Sequence, residues 1–270
     1  MDTTFKNMSK REIEQQKADW MNETVGDLNE KDGYNCNLCK NKGYIIKLVD
    51  YDENENYYQI STPCKCMETR KSIMRMNKSG LKDIIRKYTF DKFEDSEPWQ
   101  KTLKEAAIDY AKNRDGWFYI GGQSGAGKTH LCTAICRELL LSGRSVIYML
   151  WRDDIVKIKG AVTDSREYSE AIDRFKKADV LYIDDLFKTG KAADNTFQKP
   201  TAADINVAFE IINYRYNNPS MLTIISSELS EDELLDIDEA IGGRIFEKAK
   251  SITIAKNRDR NYRIKKAITL

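Results

Sequence analysis

Residues 121–130 read Gly-Gly-Gln-Ser-Gly-Ala-Gly-Lys-Thr-His and lie between GWFYI (116–120) and LCTAICRELLLSG (131–143). The first flank is a short aromatic and β-branched run, as expected of a buried strand. The second is apolar at helical spacing and is closed by Gly143, as expected of a helix. Between them, Gly122-x-x-x-x-Gly127-Lys128-Thr129 satisfies the P-loop pattern in the strand–loop–helix setting it needs. Gly122, Gly125 and Gly127 let backbone N–H groups turn inward onto phosphate oxygens, and the helix N-terminus adds a favourable dipole. Lys128 is expected to neutralise the β- and γ-phosphates and the Thr129 hydroxyl to ligate Mg²⁺. His130, the single histidine, is expected to offer its backbone N–H to a phosphate.

Working outward, VLYIDDL (180–186) places Asp184 and Asp185 at the C-terminal end of an apolar strand, where ligands of open α/β sheets bind. We assign Asp184 to Mg²⁺ and Asp185 to polarising an attacking water, the nucleotide being ATP. An Asn-Lys-x-Asp guanine motif is absent, which argues against a GTPase, and no arginine-rich lid of a small-molecule kinase is evident. A further strand, MLTIISSEL (221–229), ends in Ser227 and Glu228, candidates for sensing the γ-phosphate. Arg244 and Arg263 follow well after these motifs, where a motor ATPase keeps arginines that act between subunits and domains.

The rest of residues 88–270 alternates helix-like and strand-like runs: helices at 97–113, 165–178 and 201–218, strands at 145–150, 179–186 and 221–227. That rhythm predicts an α/β domain with a parallel sheet flanked by helices. Residues 1–75 are polar and Asn-rich. They predict a short helix capped by Ser9 with Glu12 three residues on, then a hairpin in GYIIKLVDYDENENYYQIST (43–62). Residues 76–87 read as a linker between this small N-terminal module and an ATPase domain over 88–270.

NCNLC (35–39) and PCKC (63–66) bracket the hairpin and bring four cysteines, Cys36, Cys39, Cys64 and Cys66. Four thiolates suit the tetrahedral, sulfur-rich preference of structural Zn²⁺, and metal binding can supply folding free energy to a segment too short and polar to fold by burial alone. With no histidine in the set, the site reads as closed and structural. Cys132 and Cys136, four apart among apolar residues, read as small core residues.

Residues 88–270 resemble the ATPase domain of bacterial and phage helicase loaders, the DnaC/DnaI family of AAA+ proteins. GGQSGAGKTHL, VLYIDDL, TIISSEL and GGRIFE stand in that family's order and spacing. RKYTFDKFE (86–94) resembles the segment leading into its core, whose aromatic residues, Phe90 here, lie near the adenine. The resemblance implies that Arg244 is an arginine finger and Arg263 a sensor-2 arginine touching the nucleotide. One position departs: the family commonly has Asn where this chain has Glu228, and an acid near a γ-phosphate is repulsive unless it faces away or bonds through water. The cysteine pattern also resembles the small N-terminal module of some of these loaders, a region that in the family contacts the replicative helicase.

Composition sets the limits. The chain has 270 residues, is 41% hydrophobic and 32% charged, and carries a net charge of +1. Neither a membrane span nor a signal-peptide run is evident, so a cytoplasmic protein without membrane contact is expected. Basic residues cluster at 62–88 and 256–266, read as solvated faces or linker. Candidates for single-stranded DNA contact are Lys188, Lys191, Phe197 and Lys199, and Trp151, Arg152, Lys157 and Lys159, Trp151 reading equally as a core residue. The leading expectation is an ATPase that loads a hexameric replicative DNA helicase onto single-stranded DNA and self-associates through its ATPase interfaces. The alternative is the ATPase partner of a transposase, as in IstB-like proteins. A DnaA-like initiator is disfavoured because no helix-turn-helix pattern follows the core. A non-enzymatic adaptor is disfavoured by intact Lys128, Asp184 and Asp185.

Overall fold

The computed structural model describes residues 8–50, 57–78, 82–190 and 198–264. The chain forms two compact units, residues 1–74 and 75–270. In the first, α1 (Lys10–Glu23) begins with the expected capping box: Glu12 N–H donates to Ser9 Oγ at 3.3 Å and Ser9 N–H to Glu12 Oε2 at 2.7 Å. A short α2 (Leu28–Asp32) follows, then the expected hairpin of β1 (Tyr44–Asp50) and β2 (Tyr57–Pro63), antiparallel from Tyr44↔Pro63 to Asp50↔Tyr57. Asn22 of α1 acts as a substitute strand partner: its amide donates to Ile46 O at 2.9 Å and accepts from Ile46 N–H at 2.9 Å. One edge of a two-stranded sheet, marginal by itself, is thereby covered.

The stretch read as linker is helical on both sides of residues 79–81, as α3 (Cys66–Lys78) and α4 (Lys82–Lys87). No Pro or Gly interrupts the chain there before Gly80.

In the second unit, α5 (Pro98–Asn113), with Pro at its first turn, leads into β3 (Trp117–Gly122) and α6 (Lys128–Leu141). There follow β4 (Val146–Leu150), α7 (Trp151–Gly160), α8 (Ser165–Lys176), β5 (Val180–Leu186), α9 (Ala202–Tyr216) and β6 (Leu222–Ser227). Then come α10 (Glu231–Ile237), α11 (Glu239–Lys248) and β7 (Ala249–Ile254), followed by a 3₁₀ turn at Arg258–Arg260. The five strands form a parallel sheet in the order β4-β5-β6-β3-β7. The α/β expectation is met. The edge strand β7 and helices α7, α10 and α11 have no counterpart among the sequence-based expectations. β7 is short and carries Lys250 and Ser251 in its middle, so its apolar pattern is weak; pairing with β3 makes it a strand.

Alternation along the central strands feeds two cores. Phe118, Ile120, Val180, Tyr182 and Ile224 face α5 and α6, meeting Leu103, Leu131, Ile135 and Leu139. Tyr119, Leu181, Ile183 and Ile225 face the other way, onto Ile155, Phe175, Ile211 and Ile245. A sheet buried on both faces is what near-continuous apolar strands specify. Cys132 and Cys136 are completely buried in the first core, and burial pushes both thiols well above the usual range, as suits inert packing residues. Trp151 is 2% exposed and packs edge-on to Phe187, so it is a core residue and not a stacking surface.

Candidate functional site

β3, β5 and β6 are neighbours in the sheet, and their C-terminal ends bring the phosphate loop, the Asp pair and Glu228 to one edge. They border a cavity of about 520 Å³ lined by Ser124 to His130, Asp185, Lys188, Glu228, Tyr262 and Arg263. Its other wall carries the aromatic rings of Tyr88, Phe93 and Trp99 with Lys87, Lys92 and Glu94 beside them. The size fits a small-molecule site. The loop can be built only from glycine at key points. Gly122 has φ +93°, and a Cβ there would meet Ile254 O at 2.0 Å; Gly127 has φ +89°, and its Cβ would meet the Phe93 ring at 2.7 Å.

Lys128 is 5% exposed and folds back along the loop, its ammonium donating to Gly122 O at 2.9 Å and Gln123 O at 2.7 Å. Burial lowers its pKa, opposed by the nearby Glu228 and Asp185 carboxylates. Thr129 Oγ1 donates to Asp184 Oδ1 at 3.1 Å, which joins the two residues assigned to Mg²⁺. Asp184 is 4% exposed and also accepts from Tyr182 Oη at 2.7 Å, Ser226 Oγ at 2.5 Å and Tyr148 Oη at 2.9 Å. Four hydroxyls thus replace the water that a buried carboxylate would otherwise need. A hydroxyl beside a carboxylate at the mouth of a phosphate loop is an all-oxygen donor pair, which fits a hard cation such as Mg²⁺.

Asp185 departs from the regular strand. The β5–β6 register shifts between Ile183 and Leu186, and Asp185 and Phe187 adopt left-handed φ of +58° and +59°. Asp tolerates this region better than most residues, and such strain gathers at functional sites. The Asp185 N–H is held by Ser226 Oγ at 3.0 Å, and its carboxylate meets Lys188 Nζ at 2.8 Å. Lys188 Nζ also lies 3.0 Å from Glu228 Oε1. Burial, Asp184 and Glu228 raise the Asp185 carboxyl above the usual aspartate range, against the pull of Lys188. Burial also works against ionised Glu228, but Lys188, Ser124 and Lys128 outweigh it and lower that pKa.

Other expected residues fall elsewhere. Ser227 is completely buried with its hydroxyl on Leu186 O at 2.8 Å, and it does not line the cavity; Ser226 makes the contacts to the acids. Phe90 packs against the α5–α6 core, and Tyr88, Phe93 and Trp99 line the cavity in its place. The His130 ring is sandwiched there, stacked on Tyr88 at 4.7 Å and edge-on to Phe93 at 5.2 Å, with Nε2 2.8 Å from Thr89 O. Arg263 reaches the cavity, on a segment latched to the loop by Tyr262 N–H to Gly125 O at 3.0 Å. Arg244 does not. It sits on α11 against Asn213 Oδ1 at 3.1 Å and Ala240 O at 2.8 Å, over the rings of Phe209 and Tyr216. Of the DNA candidates, Lys157 pairs with Asp154 and Lys159 with Asp204, while Lys191 and Phe197 lie outside the described residues.

In the first unit, the Sγ atoms of Cys36, Cys39, Cys64 and Cys66 all lie within 4.8 Å of one another. Cys36–Cys64 is 3.9 Å and Cys39–Cys66 3.5 Å. A tetrahedron with Zn–S of ~2.3 Å has S···S edges of ~3.8 Å, so the four sulfurs could hold Zn²⁺ with shifts of no more than about 1 Å in their separations. Arg70 supports the site and was missed among the basic residues read as solvated. It is 1% exposed, grips Asp32 through both carboxylate oxygens at 2.6 and 2.7 Å, and donates to Asn41 Oδ1 at 3.0 Å. Asn41 in turn accepts from Cys36 N–H at 2.8 Å, and Asp32 from Tyr34 N–H at 2.9 Å, which fixes the loop carrying the first cysteine pair.

Among the described residues, no helix is long and apolar enough to cross a membrane. The family model described as IstB-like ATP binding protein matches residues 64–267. The phage-like element PBSX protein XkdC of Bacillus subtilis is 32% identical over 227 residues, 79% of this chain and 79% of that protein. The replicative helicase loader DnaC of Escherichia coli is 24% identical over 192 residues, 68% of this chain and 73% of that protein. The crystal structure of the DnaC helicase loader superposes with a TM-score of 0.52 at 20% identity, over 62% of this chain and 96% of that chain, a likeness of fold. The phosphate loop, the acids at the end of β5 and the five-stranded parallel sheet agree with these comparisons, and the chain belongs to the IstB/DnaC family of AAA+ ATP-binding proteins.

Proposed function

We propose that this protein is an ATPase that loads a hexameric replicative DNA helicase onto single-stranded DNA in the cytoplasm. The observation that carries the nucleotide part is the meeting of Lys128, Thr129 and Asp185 at one cavity beside the phosphate loop, with Asp184 bonded to Thr129 just behind it. In this reading the loop N–H groups and Lys128 bind the phosphate chain, and Arg263 closes over it from the latched C-terminal segment. Thr129 and Asp184 hold Mg²⁺, which spreads charge away from the β- and γ-phosphates when bound. Asp185 orients a water for in-line attack at the γ-phosphorus and accepts its proton, and ADP and phosphate leave. Tyr88, Phe93, Trp99 and His130 form the wall against which the base rests.

Arg244, away from its own cavity and solvent-accessible, serves as the finger for a neighbouring copy, which makes turnover depend on self-association. The helicase part is supported by the likeness to proteins named as replicative helicase loaders. The four-cysteine module binds Zn²⁺ as a structural ion, spans residues 1–75, and docks the helicase; residues 76–87 connect it to the ATPase domain.

The test is native mass spectrometry of the chain with a replicative helicase of its own source, with ATP and with Lys128→Ala as control. An ATP-dependent assembly lost on deleting residues 1–70 is expected. Intact ATP turnover without any assembly would move the assignment to the partner of a transposase. Arg244→Ala should spare ATP binding and lower turnover only where copies associate; an equal loss in dilute monomer would sink the role in trans.

A further inference from the structure

The proposed mechanism gives no task to Lys188, although the fold takes unusual care to place it. The two left-handed residues Asp185 and Phe187 turn the chain at the end of β5. The turn is fastened by Lys188 N–H to Asp185 O at 2.9 Å, by Ser227 Oγ to Leu186 O at 2.8 Å, and by the buried Phe187 ring against Trp151. Its result is a lysine pointing back to the sheet edge, bonded to Asp185 at 2.8 Å and Glu228 at 3.0 Å and lining the same cavity as Lys128.

Charge explains why this matters. Asp185 and Glu228 put two carboxylates at the strand ends of a cavity that is to receive a polyanion, with Asp184 just behind them, and on that wall Lys188 joins Lys128 as a cation while Arg263, Lys87 and Lys92 stand on the other lining segments. Glu228, just past the end of β6, lines the cavity beside the phosphate loop; an acid there is tolerable if it has a cation of its own, and Lys188 is that cation.

We propose that Lys188, tethered by Glu228, is a second phosphate-contacting cation of this site and lets it distinguish a nucleoside triphosphate from a diphosphate. The inference rests on the nucleotide-site reading above. Lys188 keeps its bond to Glu228 and moves from Asp185 to the terminal phosphate, which leaves the Asp185 carboxylate free to accept a hydrogen bond from water. Lysine suits this exchange, because a flexible stem and three donors let one ammonium serve two acceptors at once. Glu228 is then a positioning residue that prevents Lys188 from turning to solvent.

The experiment measures dissociation constants for a non-hydrolysable ATP analogue and for ADP, both with Mg²⁺. It compares the unaltered chain with Lys188→Met, Lys188→Arg, Glu228→Gln and the Lys188→Met/Glu228→Gln double variant. A charge-assisted contact to the terminal phosphate predicts a loss of about ten- to a hundredfold for the analogue in Lys188→Met. ADP should change by less than about threefold, and Lys188→Arg should recover part of the loss. Unchanged ADP binding also certifies that the variant is folded. The double variant should stay weak for the analogue. Recovery to the unaltered value would overturn the proposal, because Lys188 would then only neutralise Glu228. Equal weakening of both nucleotides would overturn it too. Failure of the unaltered chain to bind either nucleotide would overturn the nucleotide site itself, whereas binding with no triphosphate-specific loss in Lys188→Met refutes this inference alone.

Discussion

Asp184→Asn tests the centre of the site with one atom changed. The Oδ1 position accepts from Thr129, Tyr182 and Ser226, and an amide oxygen placed there can accept from all three. On the Oδ2 side, Tyr148 Oη can turn from donor to acceptor and take the new NH₂. The contacts at Oδ1 and the surrounding packing are kept, so the fold should survive. What is lost is charge assistance: hydrogen bonds to an ionised group contribute roughly 1.5–3 kcal/mol against about 1 for neutral pairs. Three retained bonds, partly offset by relief of the desolvation cost of a buried charge, give a net destabilisation of roughly 1–3 kcal/mol. For a unit of this size 1 kcal/mol moves Tm by roughly 2–4 °C, so a drop of several degrees is expected.

The functional effect should be separate from that drop. Without the anion at Asp184, the chain should lose the extra stabilisation that Mg²⁺ adds to nucleotide binding. It should keep the binding seen in a chelator, which depends on the loop and Lys128. The assay is thermal unfolding of both proteins with ADP, in Mg²⁺ and in chelator, at nucleotide near a hundred times the dissociation constant, where full binding contributes ~2.7 kcal/mol. A Mg²⁺-dependent rise in Tm that is as large in Asp184→Asn as in the unaltered chain would refute the assignment of this carboxylate to the metal.

Three further outcomes follow from the same contacts. Asp185 must be ionised to accept a proton. Since burial and its acidic neighbours raise its pKa, turnover should fall as pH drops through a value above the ordinary aspartate range. Lys188→Met should move that limb higher still by removing the cation that opposes the shift, and an unmoved limb would exclude Asp185 as the group. Arg215 is completely buried and, among the described residues, has no acid bonded to it; it donates to Thr223 Oγ1 and to the carbonyls of Phe175, Lys176, Ala178 and Leu222. Arg215→Met should leave these acceptors unmatched at a cost of roughly 3–5 kcal/mol in chemical unfolding, and a loss below ~1 kcal/mol would contradict the account. The full chain should carry one Zn²⁺ by metal analysis, and Cys39→Ser should lose it along with protease resistance of residues 1–74, while nucleotide affinity is retained.

The N-terminal helix, the hairpin and most of the β–α alternation were legible in the sequence because caps, turn residues and apolar periods are local signals. Ser9 with Glu12, the strand β3 and the closing Gly143 each act on neighbours a few residues away. Elements that lean on distant partners were not legible. β7 is a strand by virtue of lying beside β3, and Arg70, one of eight basic residues over residues 62–88, is buried only because Asp32 lies opposite.

The site divides along the same line. The sequence by itself determined the phosphate loop, the acids at the end of β5 and the four cysteines, since each motif is a contiguous run whose chemistry is written in residue type and spacing. Only the tertiary structure decided that Ser226 and not Ser227 meets the acids, that Tyr88, Phe93 and Trp99 rather than Phe90 wall the cavity, and that Lys188 joins Asp185 to Glu228. Which side of a strand end faces a ligand depends on twist and register, and here one irregularity in β5 sets both. Contacts between residues some forty positions apart are made when strands pair, and no local pattern records them.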